Sequence, residues 1–436
     1  MNANSFPEVT IMQSKSCNPN SSFARRSREV ALAIMLLVLP LFVLTTAAPA
    51  QIFTVLHTFT GADGASPMVG LAMDAAGNLY GTTVWGGSGG VGTVFKLTRS
   101  GTGWILNTLH SFTGGDDGAY PDGRVMLGQD GSLYGTTLGG GRLEPCPVEH
   151  FQYGPGCGVV FQLKPPPTAP KSVSASWNET VLYRFSGGSD GATPQGDLVF
   201  DQSGDLYGTT MNGGAAWCTP NGCGVIYELT PSNGSWKETV LYSPPGHPNL
   251  PSDGVVFDPA GNLYGVFSGG QGAIYELSRS GSSWTEQLLH TFAYEPPVGG
   301  LIFDSSGNLY GTTNDGGTGG GGTVFQLTPG NGGSWNLTTL YNLSGQAGYR
   351  TGPVAKLIMD KAGNLYGTTR YGGAGRGNVF RLAPSNGGWI YTSLHDFSAP
   401  QDQPLGSLIL DAYGNLYGTA SALYNQGGGI VFEITP

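Results

Sequence analysis

Three aspartates share one short motif, Asp-Gly-x-x-Pro, and their carboxylates are the groups in this sequence best suited to binding chemistry. They are Asp63, Asp117 and Asp190. Carboxylate oxygens can coordinate a divalent cation, and they can accept hydrogen bonds from the hydroxyls of a sugar. The same motif also fits an ordinary Asp-Gly turn, in which the carboxylate bonds to the neighbouring backbone. The sequence alone leaves both roles open.

Aromatic residues stand near these motifs, in the Gly-rich segments that join the predicted strands. An exposed ring can stack on the apolar face of a sugar, and it can equally cover the edge of a sheet. Such rings occur at Trp85, Trp217, Tyr371 and Tyr424. Because binding residues concentrate on loops held by a rigid scaffold, we predict one ligand-binding surface. Its candidate residues are Trp85, Asp63, Asp117, Asp190, Trp217 and Tyr371.

The cysteines predict disulfide bonds rather than a metal centre. Of the five cysteines, Cys17 lies in the predicted N-terminal signal segment, and the remaining four form an even number, which in an exported chain indicates disulfides. Cys146–Cys157 and Cys218–Cys223 are favoured among the three possible pairings, because each pair lies within one loop. A zinc site is the alternative, but spacings of ten and four intervening residues without adjacent histidines do not match its usual ligands.

The remaining polar residues do not indicate catalysis. Four of the six histidines recur at one position of a sequence repeat, where Tyr stands in the other copies, so a shared metal site is not expected. They are His57, His110, His290 and His395. The sequence has neither a Gly-x-Ser-x-Gly elbow nor a phosphate-binding loop. We predict no catalytic residue, no metal ligand and no cofactor.

A repeat supplies the elements that must position these residues. Gly-Asn-Leu-Tyr-Gly-Thr-Thr and its variants occur seven times, each inside a pattern of four short strands, a to d. Strand a ends in an Asp-x-x-Gly turn, strand c begins with Gly and carries an aromatic residue, and strand d has a Trp six residues before His or Tyr. The repeated tyrosines are Tyr80, Tyr134, Tyr207, Tyr264, Tyr310, Tyr366 and Tyr417.

The order of the strands at the two ends predicts the topology. The repeats begin with a lone strand d, Gln51–Phe59, and end with a, b and c at Leu405–Asp411, Asn415–Ala420 and Gly429–Thr435. The first strand can therefore complete the last sheet. We predict an all-β fold, a single seven-bladed β-propeller over 51–436, with four-stranded antiparallel blades closed by the N-terminal strand. An open β-solenoid is the alternative.

Residues 1–50 are predicted to be a signal peptide with a long n-region. Arg25, Arg26 and Arg28 precede an apolar run, and Ala48-Pro49-Ala50 supplies the small residues of a cleavage site. An uncleaved anchor and a later start codon are the alternatives. Residues 51–436 carry 15 basic and 27 acidic side chains, a net charge of −12. This charge disfavours nucleic acid and anionic membranes as partners.

Three motifs in fixed order carry a family resemblance over essentially all of 51–436. Gly-Asn-Leu-Tyr-Gly-Thr-Thr, then Gly-Thr-Val-Phe-x-Leu, then a Trp and Leu-His-x-Phe, resemble the Gloeo/Verruco tandem repeat. The resemblance implies an exported bacterial protein from a group with varied surface-anchoring signals and no established activity. Repeat four departs most, because Tyr264-Gly265-Val266-Phe267 lacks the Thr pair. More loosely, the Asp-x-x-Gly-Asn-Leu-Tyr turn is similar to that of exported lyase and lactonase propellers.

Together these observations predict a secreted or envelope-located binding or scaffold module without catalytic activity. We expect a monomer whose ligand is a polysaccharide or a cell-surface protein. The alternative is a lyase or lactonase that uses carboxylates and a divalent cation at the channel mouth. The two hypotheses differ in whether Asp63, Asp117 and Asp190 converge within reach of one metal ion.

Overall fold

The computed structural model describes residues 51–435 except for several short segments. The chain divides into two units, Met1–Ala50 and Gln51–Pro436. The predicted signal peptide, residues 1–50, lies outside the described residues, and its cleavage stays a prediction. In the described part of the chain, no helix is long and apolar enough to cross a membrane. The segments not described are 143–145, 148–153, 167–176, 215–220, 246–249, 282, 294, 346–351, 374, 399–402 and 422–427.

The described residues form 28 β-strands and one short 3-10 turn at Asn331–Gly333, in an all-β fold. The strands fall into seven sets of four, called sheets 1 to 7 here, in which neighbouring strands pair. Sheets 1 to 3 contain β2 (Ala72–Met73), β3 (Leu79–Thr83), β4 (Thr93–Ser100) and β5 (Gly103–Ser111); β6 (Met126–Leu127), β7 (Leu133–Thr137), β8 (Val159–Lys164) and β9 (Asn178–Arg184); and β10 (Ala192–Phe200), β11 (Leu206–Asn212), β12 (Val225–Ser232) and β13 (Ser235–Tyr242).

Sheets 4 to 6 continue in chain order, and sheet 7 combines the two ends of the repeat region. Sheets 4 to 6 contain β14 (Pro251–Phe257), β15 (Leu263–Phe267), β16 (Ala273–Ser280) and β17 (Ser283–Thr291); β18 (Pro297–Phe303), β19 (Leu309–Thr313), β20 (Gly320–Pro329) and β21 (Trp335–Ser344); and β22 (Ile358–Met359), β23 (Leu365–Thr369), β24 (Asn378–Ser385) and β25 (Gly388–Asp396). Sheet 7 contains β26 (Ile409–Leu410), β27 (Leu416–Ala420), β28 (Ile430–Thr435) and β1 (Ile52–Thr58).

All strands that pair within a sheet run antiparallel, and they pair in the predicted order a, b, c, d. β1 pairs with β28, with Ile52 opposite Thr435 and Thr58 opposite Ile430. Sheets 3 and 4 are also linked by one parallel bridge, Asp197 to Gly254. Strand a of the last repeat is shorter than the predicted Leu405–Asp411: it spans Ile409–Leu410, and Leu405–Ser407 line a cavity.

Strand b lies between strands a and c of its sheet and is largely buried. All five residues of β3 are buried. A methyl group added to Gly81, at the centre of β3, would lie 2.6 Å from the ring of Phe95 on β4. The same aromatic position of strand c covers Gly135, Gly208, Gly265, Gly311, Gly367 and Gly418. The central Gly of the repeated motif is therefore required by packing.

Seven hydrophobic clusters hold consecutive sheets together. Each combines buried side chains from two sheets, as when Tyr134 of sheet 2 shares a cluster with Tyr227 of sheet 3. One cluster joins sheet 7 to sheet 1 and includes Tyr417 and Leu79. The others join sheets 1 and 2, 3 and 4, 4 and 5, 5 and 6, and 6 and 7. Burial of this apolar surface is the main driving force for the fold.

The Asp-x-x-Gly turn before strand b is closed by its own carboxylate. Asp74 accepts bonds from the backbone amides of Ala76 and Asn78, from Asn78 Nδ2 and from the Tyr80 hydroxyl, at 2.7 to 3.0 Å. Asp258, Asp304, Asp360 and Asp411 form the same four bonds. These are the turn's structural bonds, as the motif predicts.

The described cysteines agree with the disulfide prediction as far as they can be followed. Cys146 and Cys157 are bonded, with 5.1 Å between their Cα atoms. Cys223 is also disulfide-bonded. Cys218, its predicted partner, lies outside the described residues, so that pairing stays a prediction.

Candidate functional site

Each Asp of the Asp-Gly-x-x-Pro motif bonds inside its own loop. Asp63 Oδ1 accepts from the backbone amide and the hydroxyl of Thr60, both at 2.9 Å. Asp63 Oδ2 lies 2.8 Å from Nε2 of His57, on the strand that precedes the loop. The loop Asp therefore caps the end of strand d in the same sheet.

Asp117 and Asp190 repeat this arrangement in the next two sheets. Asp117 accepts from Thr113 and lies 3.2 Å from His110 Nε2. Asp190 accepts from Ser186 and from the Tyr183 hydroxyl at 3.1 Å. In these three repeats the Asp explains the His or Tyr on strand d, whereas Tyr242, His290, Tyr341 and His395 occupy the same position without this motif. Among the described residues, no group of three or more His, Cys, Asp or Glu side chains is arranged to hold a metal ion.

These bonds also keep two of the loop carboxylates ionised. Burial raises the pKa of Asp63, but the bonds from Thr60 and His57 outweigh it and hold the pKa below its usual value. For Asp117, burial likewise raises the pKa, and His110 and Thr113 lower it further than burial raises it. A role for these carboxylates in ligand binding stays a prediction.

Trp85 connects two of the three Asp-Gly-x-x-Pro loops. Its backbone forms two hydrogen bonds with Ala65, at 2.7 and 3.0 Å, in the loop that holds Asp63. Its ring meets Tyr120, in the loop that holds Asp117, edge to face with centroids 4.7 Å apart. Trp85 and Tyr120 are both half-buried. The structure therefore brings one predicted aromatic residue together with two predicted acidic loops.

The other predicted aromatic residues do not join this group in the described structure. Tyr371 lies in the b–c loop of sheet 6, with the guanidinium carbon of Arg370 5.1 Å from its ring centroid. Trp217 and Tyr424 lie outside the described residues. Among the described residues, Trp85 is therefore the predicted aromatic residue found beside the predicted acidic loops.

A cavity of about 140 Å³, the common cavity, is lined by all seven sheets. Its wall comes from the three positions that lie six to four residues before the Asp-x-x-Gly turn. Sheets 1 and 7 contribute Met68–Gly70 and Leu405–Ser407, which are uncharged. The charged lining residues are Asp122 and Arg124 from sheet 2, Asp197 from sheet 3, Asp253 from sheet 4 and Lys356 from sheet 6.

Four of these charged groups bond across the sheets. Arg124 Nη2 lies 3.0 Å from Asp197 Oδ2. Asp122 Oδ2 accepts from Gln195 Nε2 at 3.2 Å. Asp253 accepts from the backbone amide of Gly299 at 3.1 Å, and it holds this position with a φ of 61°, which is uncommon outside glycine. The cavity is therefore an ordered network of polar groups.

Burial in the common cavity shifts the ionisation of its side chains. Burial raises the pKa of Asp122 to about 7, with the nearby charge of Asp253 adding to the rise and the Gln195 bond opposing it. Burial also raises the pKa of Asp253. For Lys356, burial lowers the pKa, although Asp197 and Asp253 raise it. A carboxyl group with a pKa near 7 can take up or release a proton at neutral pH.

The size of the common cavity limits what it can hold. Small-molecule sites usually measure about 300–1,000 Å³, and a water molecule in the liquid occupies about 30 Å³. At about 140 Å³ the cavity accommodates a few waters or one small polar group. A sugar chain does not fit unless the sheets move apart.

The sequence prediction missed these residues, although the repeat contains a signal for them. The position four residues before the turn Asp differs in charge between copies, whereas strands b and c keep their residue types. It holds Gly70, Arg124, Asp197, Gly254, Gly300, Lys356 and Ser407. A position that varies inside an otherwise regular repeat is not fixed by packing, and this one lines the cavity or adjoins its lining.

Comparison with known proteins identifies a repeat family and several structures of similar fold. The model of the Gloeobacter/Verrucomicrobia repeat matches residues 41–271 and 251–436. No curated protein matches the chain significantly. A PL25 polysaccharide lyase, an ulvan lyase, is similar at 10% identity and a TM-score of 0.49, over 87% of this chain and 95% of that one.

Two further structures are similar at the same low level. A gluconolactonase from Xanthomonas campestris has 14% identity and a TM-score of 0.38, over 87% of this chain and 88% of that one. PorZ, a surface component of the type-IX secretion system of Porphyromonas gingivalis, has 14% identity and a TM-score of 0.46, over 83% of this chain and 46% of that one. No residue role is transferred from any of the three.

Proposed function

Because the chain belongs to the Gloeobacter/Verrucomicrobia repeat family, we propose that it is an exported binding or scaffold module without catalytic activity. Its sheets would form a seven-bladed β-propeller. The pairing of β1 with β28 and the cluster between sheets 7 and 1 support closure of the ring. Closure would hide the sheet edges that otherwise promote aggregation.

The observation that carries the binding role is the position of Trp85 between two acidic loops. Its backbone is fixed by Ala65 and its ring by Tyr120, so the indole is held in place before a ligand arrives. A pre-organised aromatic residue loses little conformational entropy on binding. The ligand we propose for this surface is a polysaccharide or a cell-surface protein.

Export is supported by the cysteines and by the N-terminal sequence. The Cys146–Cys157 disulfide is of a type that persists in oxidising compartments. The Arg-rich start, apolar run and Ala-Pro-Ala of residues 1–50 have the order of a signal peptide. We therefore propose a location in the periplasm, at the cell surface or outside the cell.

A second candidate function, a lyase or lactonase, is favoured by one observation. Asp122 has a pKa raised to about 7 by burial and lies beside Asp253 in the common cavity. Perturbed carboxyl groups in clefts are candidates for acid–base catalysis. The small volume of the cavity is the reason for preferring the binding module.

Thermal unfolding of the exported protein with soluble polysaccharides and divalent cations tests the proposal. A ligand that binds only the folded state raises the midpoint. We expect at least one polysaccharide to do so, and Trp85→Ala to remove the rise. Ile390→Ala is the control, because Ile390 is an exposed apolar residue on the outer strand of sheet 6.

The outcomes separate the two candidate functions. A rise that depends on a cation and is lost in Asp117→Ala or Asp122→Asn would support the enzyme instead. If Trp85→Ala neither removes nor reduces the rise with any polysaccharide, the loop surface is contradicted. If no polysaccharide raises the midpoint, a polysaccharide ligand is contradicted. A surface-protein ligand would then be tested by covalent capture with the variant Trp85→Cys.

A further inference from the structure

Two grooves of matching construction lie between neighbouring sheets on the side of the a–b turns. The 7/1 groove separates sheets 7 and 1 and measures about 590 Å³. The 3/4 groove separates sheets 3 and 4 and measures about 630 Å³. Both volumes fall within the range of about 300–1,000 Å³ that is usual for small-molecule sites. In antiparallel sheets these turns face away from the b–c and d–a loops, which hold Trp85.

Each groove contains an arginine stacked on a tryptophan. The guanidinium carbon of Arg99 lies 5.1 Å from the ring centroid of Trp104 in the 7/1 groove. That of Arg279 lies 5.8 Å from Trp284 in the 3/4 groove. Both pairs face each other at the same register of strands c and d. Stacking within about 6 Å is attractive and orients the guanidinium.

The arginine is specific to these two repeats. Seven residues after the Gly that opens strand c, repeats one and four have Arg99 and Arg279, and the other five have Pro. Where both residues are described within strands, the Pro faces the Trp at the same register: Pro231 with Trp236, Pro329 with Trp335, and Pro384 with Trp389. The hairpin therefore does not need the arginine.

Of the four carboxylates that line the grooves, three have all their acceptor positions filled by the turns, and Asp201 in the 3/4 groove accepts three bonds. Asp411 accepts bonds from the backbone of Tyr413 and Asn415, from Asn415 Nδ2 and from the Tyr417 hydroxyl. A carboxylate offers about four acceptor positions, so Asp411 has none to spare. Asp74 and Asp258 are filled in the same way.

The guanidinium is the positively charged donor that each groove offers to a ligand. The side chain of Arg99 is 60% exposed, and one of its nitrogens lies 3.4 Å from Glu433. A guanidinium has five N–H donors. The apolar wall of the 7/1 groove includes Met73, Leu410 and Trp104, and that of the 3/4 groove includes Phe200, Phe257 and Trp284.

Local charge decides which ligand fits. Three carboxylates, on Asp74, Asp411 and Glu433, surround one guanidinium in and beside the 7/1 groove, so an anion is repelled. A cation would be repelled by Arg99, and Asp74 and Asp411 have no acceptor positions to offer it. We propose that each groove binds one pyranose residue of a neutral glycan, whose oxygens accept from the arginine and whose C–H face packs on the apolar wall.

This inference adds two sites on the side opposite Trp85 and does not depend on the loop surface. A glycan long enough to reach both grooves would gain avidity without further contacts. Tyr413 gives the 7/1 groove an additional aromatic edge, because it is 88% exposed at the groove's rim. Ser203 occupies the equivalent position in the 3/4 groove.

Isothermal titration of the exported protein tests the proposal. The probes are neutral hexasaccharides of glucose, mannose, xylose and galactose, with oligogalacturonate and oligoalginate as the anionic counterparts. We expect at least one neutral probe to bind with two sites per chain. Arg99→Pro or Arg279→Pro should leave one site, and the double variant should weaken binding at least tenfold.

The controls keep the result specific. Both substitutions introduce the residue that five repeats carry at this position, so the fold should be retained, which circular dichroism checks. Arg184→Ala removes the same charge from an exposed position outside both grooves and should bind normally. Tyr413→Ala should weaken only the site that Arg279→Pro leaves.

Three outcomes would overturn the proposal. These are unchanged stoichiometry in both proline variants, binding of the anionic probes alone, and no binding of any neutral probe at millimolar concentration. The result is independent of the loop surface, because ligands lost in Trp85→Ala but kept in the proline variants would belong to that surface.

Discussion

Two neighbouring parts of each sheet differ in how much their sequence varies between repeats. One is strand b with its preceding turn, and the other is the set of positions that line the common cavity. Strand b and its preceding turn are nearly the same in all repeats, and their groups are buried or bonded inside the sheet. The three positions that lie six to four residues before the turn differ between repeats and provide the lining of the common cavity. The comparison teaches that the repeated residues serve mainly to make the fold. We expect any specificity for a ligand to reside in the positions that vary.

The largest expected effect comes from a substitution in strand b, which is nearly the same in all repeats. Gly311 in β19 lies beneath the ring of Phe325, and an added methyl group would come within 2.5 Å of that ring. Neither the strand nor the aromatic residue can move without disturbing its neighbours. We expect Gly311→Ala to lower the free energy of unfolding by about 3 kcal/mol, measured by denaturant unfolding.

Gly387 is the matched control for this substitution. A methyl group there meets no atom within 4 Å. Gly387→Ala should be neutral or should stabilise the protein by a few tenths of a kcal/mol, because alanine restricts the unfolded chain. Equal losses in the two variants would mean that packing against Phe325 is not the reason for the repeated Gly.

The sequence predicted the regular region well because local patterns determine it. Strand alternation, the Asp-x-x-Gly turn and the position of Gly81 are each set by residues close in the chain. The Asp-Gly-x-x-Pro motif could be assigned as a turn, but its bond to His57 crosses from loop to strand, so the motif alone did not reveal it.

The common cavity could not be derived from local patterns. Arg124 and Asp197 lie in different repeats, 73 positions apart, and meet only because consecutive sheets pack side by side. Arg99 and Arg279 were missed for a related reason. Each is unremarkable within its own repeat, and it is noticed only when all seven copies are aligned.

The second prediction concerns the common cavity, where ionisation of Asp122 should make the stability of the protein depend on pH. Burial raises the pKa of Asp122 to about 7, above the value of about 3.9 for an unfolded chain. The unfolded chain then ionises first, so stability falls as the pH rises from about 4 to about 7. Asn cannot ionise and avoids this loss.

We therefore expect Asp122→Asn to stabilise the protein at pH 8 and to have little effect at pH 4. The full shift would correspond to about 4 kcal/mol at 1.36 kcal/mol per unit, and we expect about 2 kcal/mol because the carboxyl keeps contact with solvent in the cavity. Thermal unfolding at both pH values checks this. A gain of equal size at pH 4 and pH 8 would contradict ionisation as the cause.

A smaller effect of opposite sign is expected in the Asp-x-x-Gly turns. Burial raises the pKa of Asp304, but the bonds from Asn308, Ser306 and Tyr310 hold it below its usual value. A lowered pKa stabilises the fold above about pH 4, and this contribution disappears as the pH falls through the folded pKa. Asp304→Asn should cost about 1 kcal/mol at pH 7. The difference from the unmodified protein should shrink towards pH 2 in acid unfolding curves.

The smallest expected effect is the sharpest test of the idea that varied positions are not fixed by packing. Arg279→Pro places at the end of β16 the residue that Pro231 and Pro329 provide at the same register. The exchange gives up one exposed cation–π contact, worth about 0.5–1 kcal/mol, and proline restricts the unfolded chain by a similar amount. The two terms oppose each other, so we expect a net change below about 0.5 kcal/mol in denaturant unfolding. A loss as large as that of Gly311→Ala would show that the arginine holds sheets 3 and 4 together, and the division between fold-forming and ligand-binding positions would then fail at this groove.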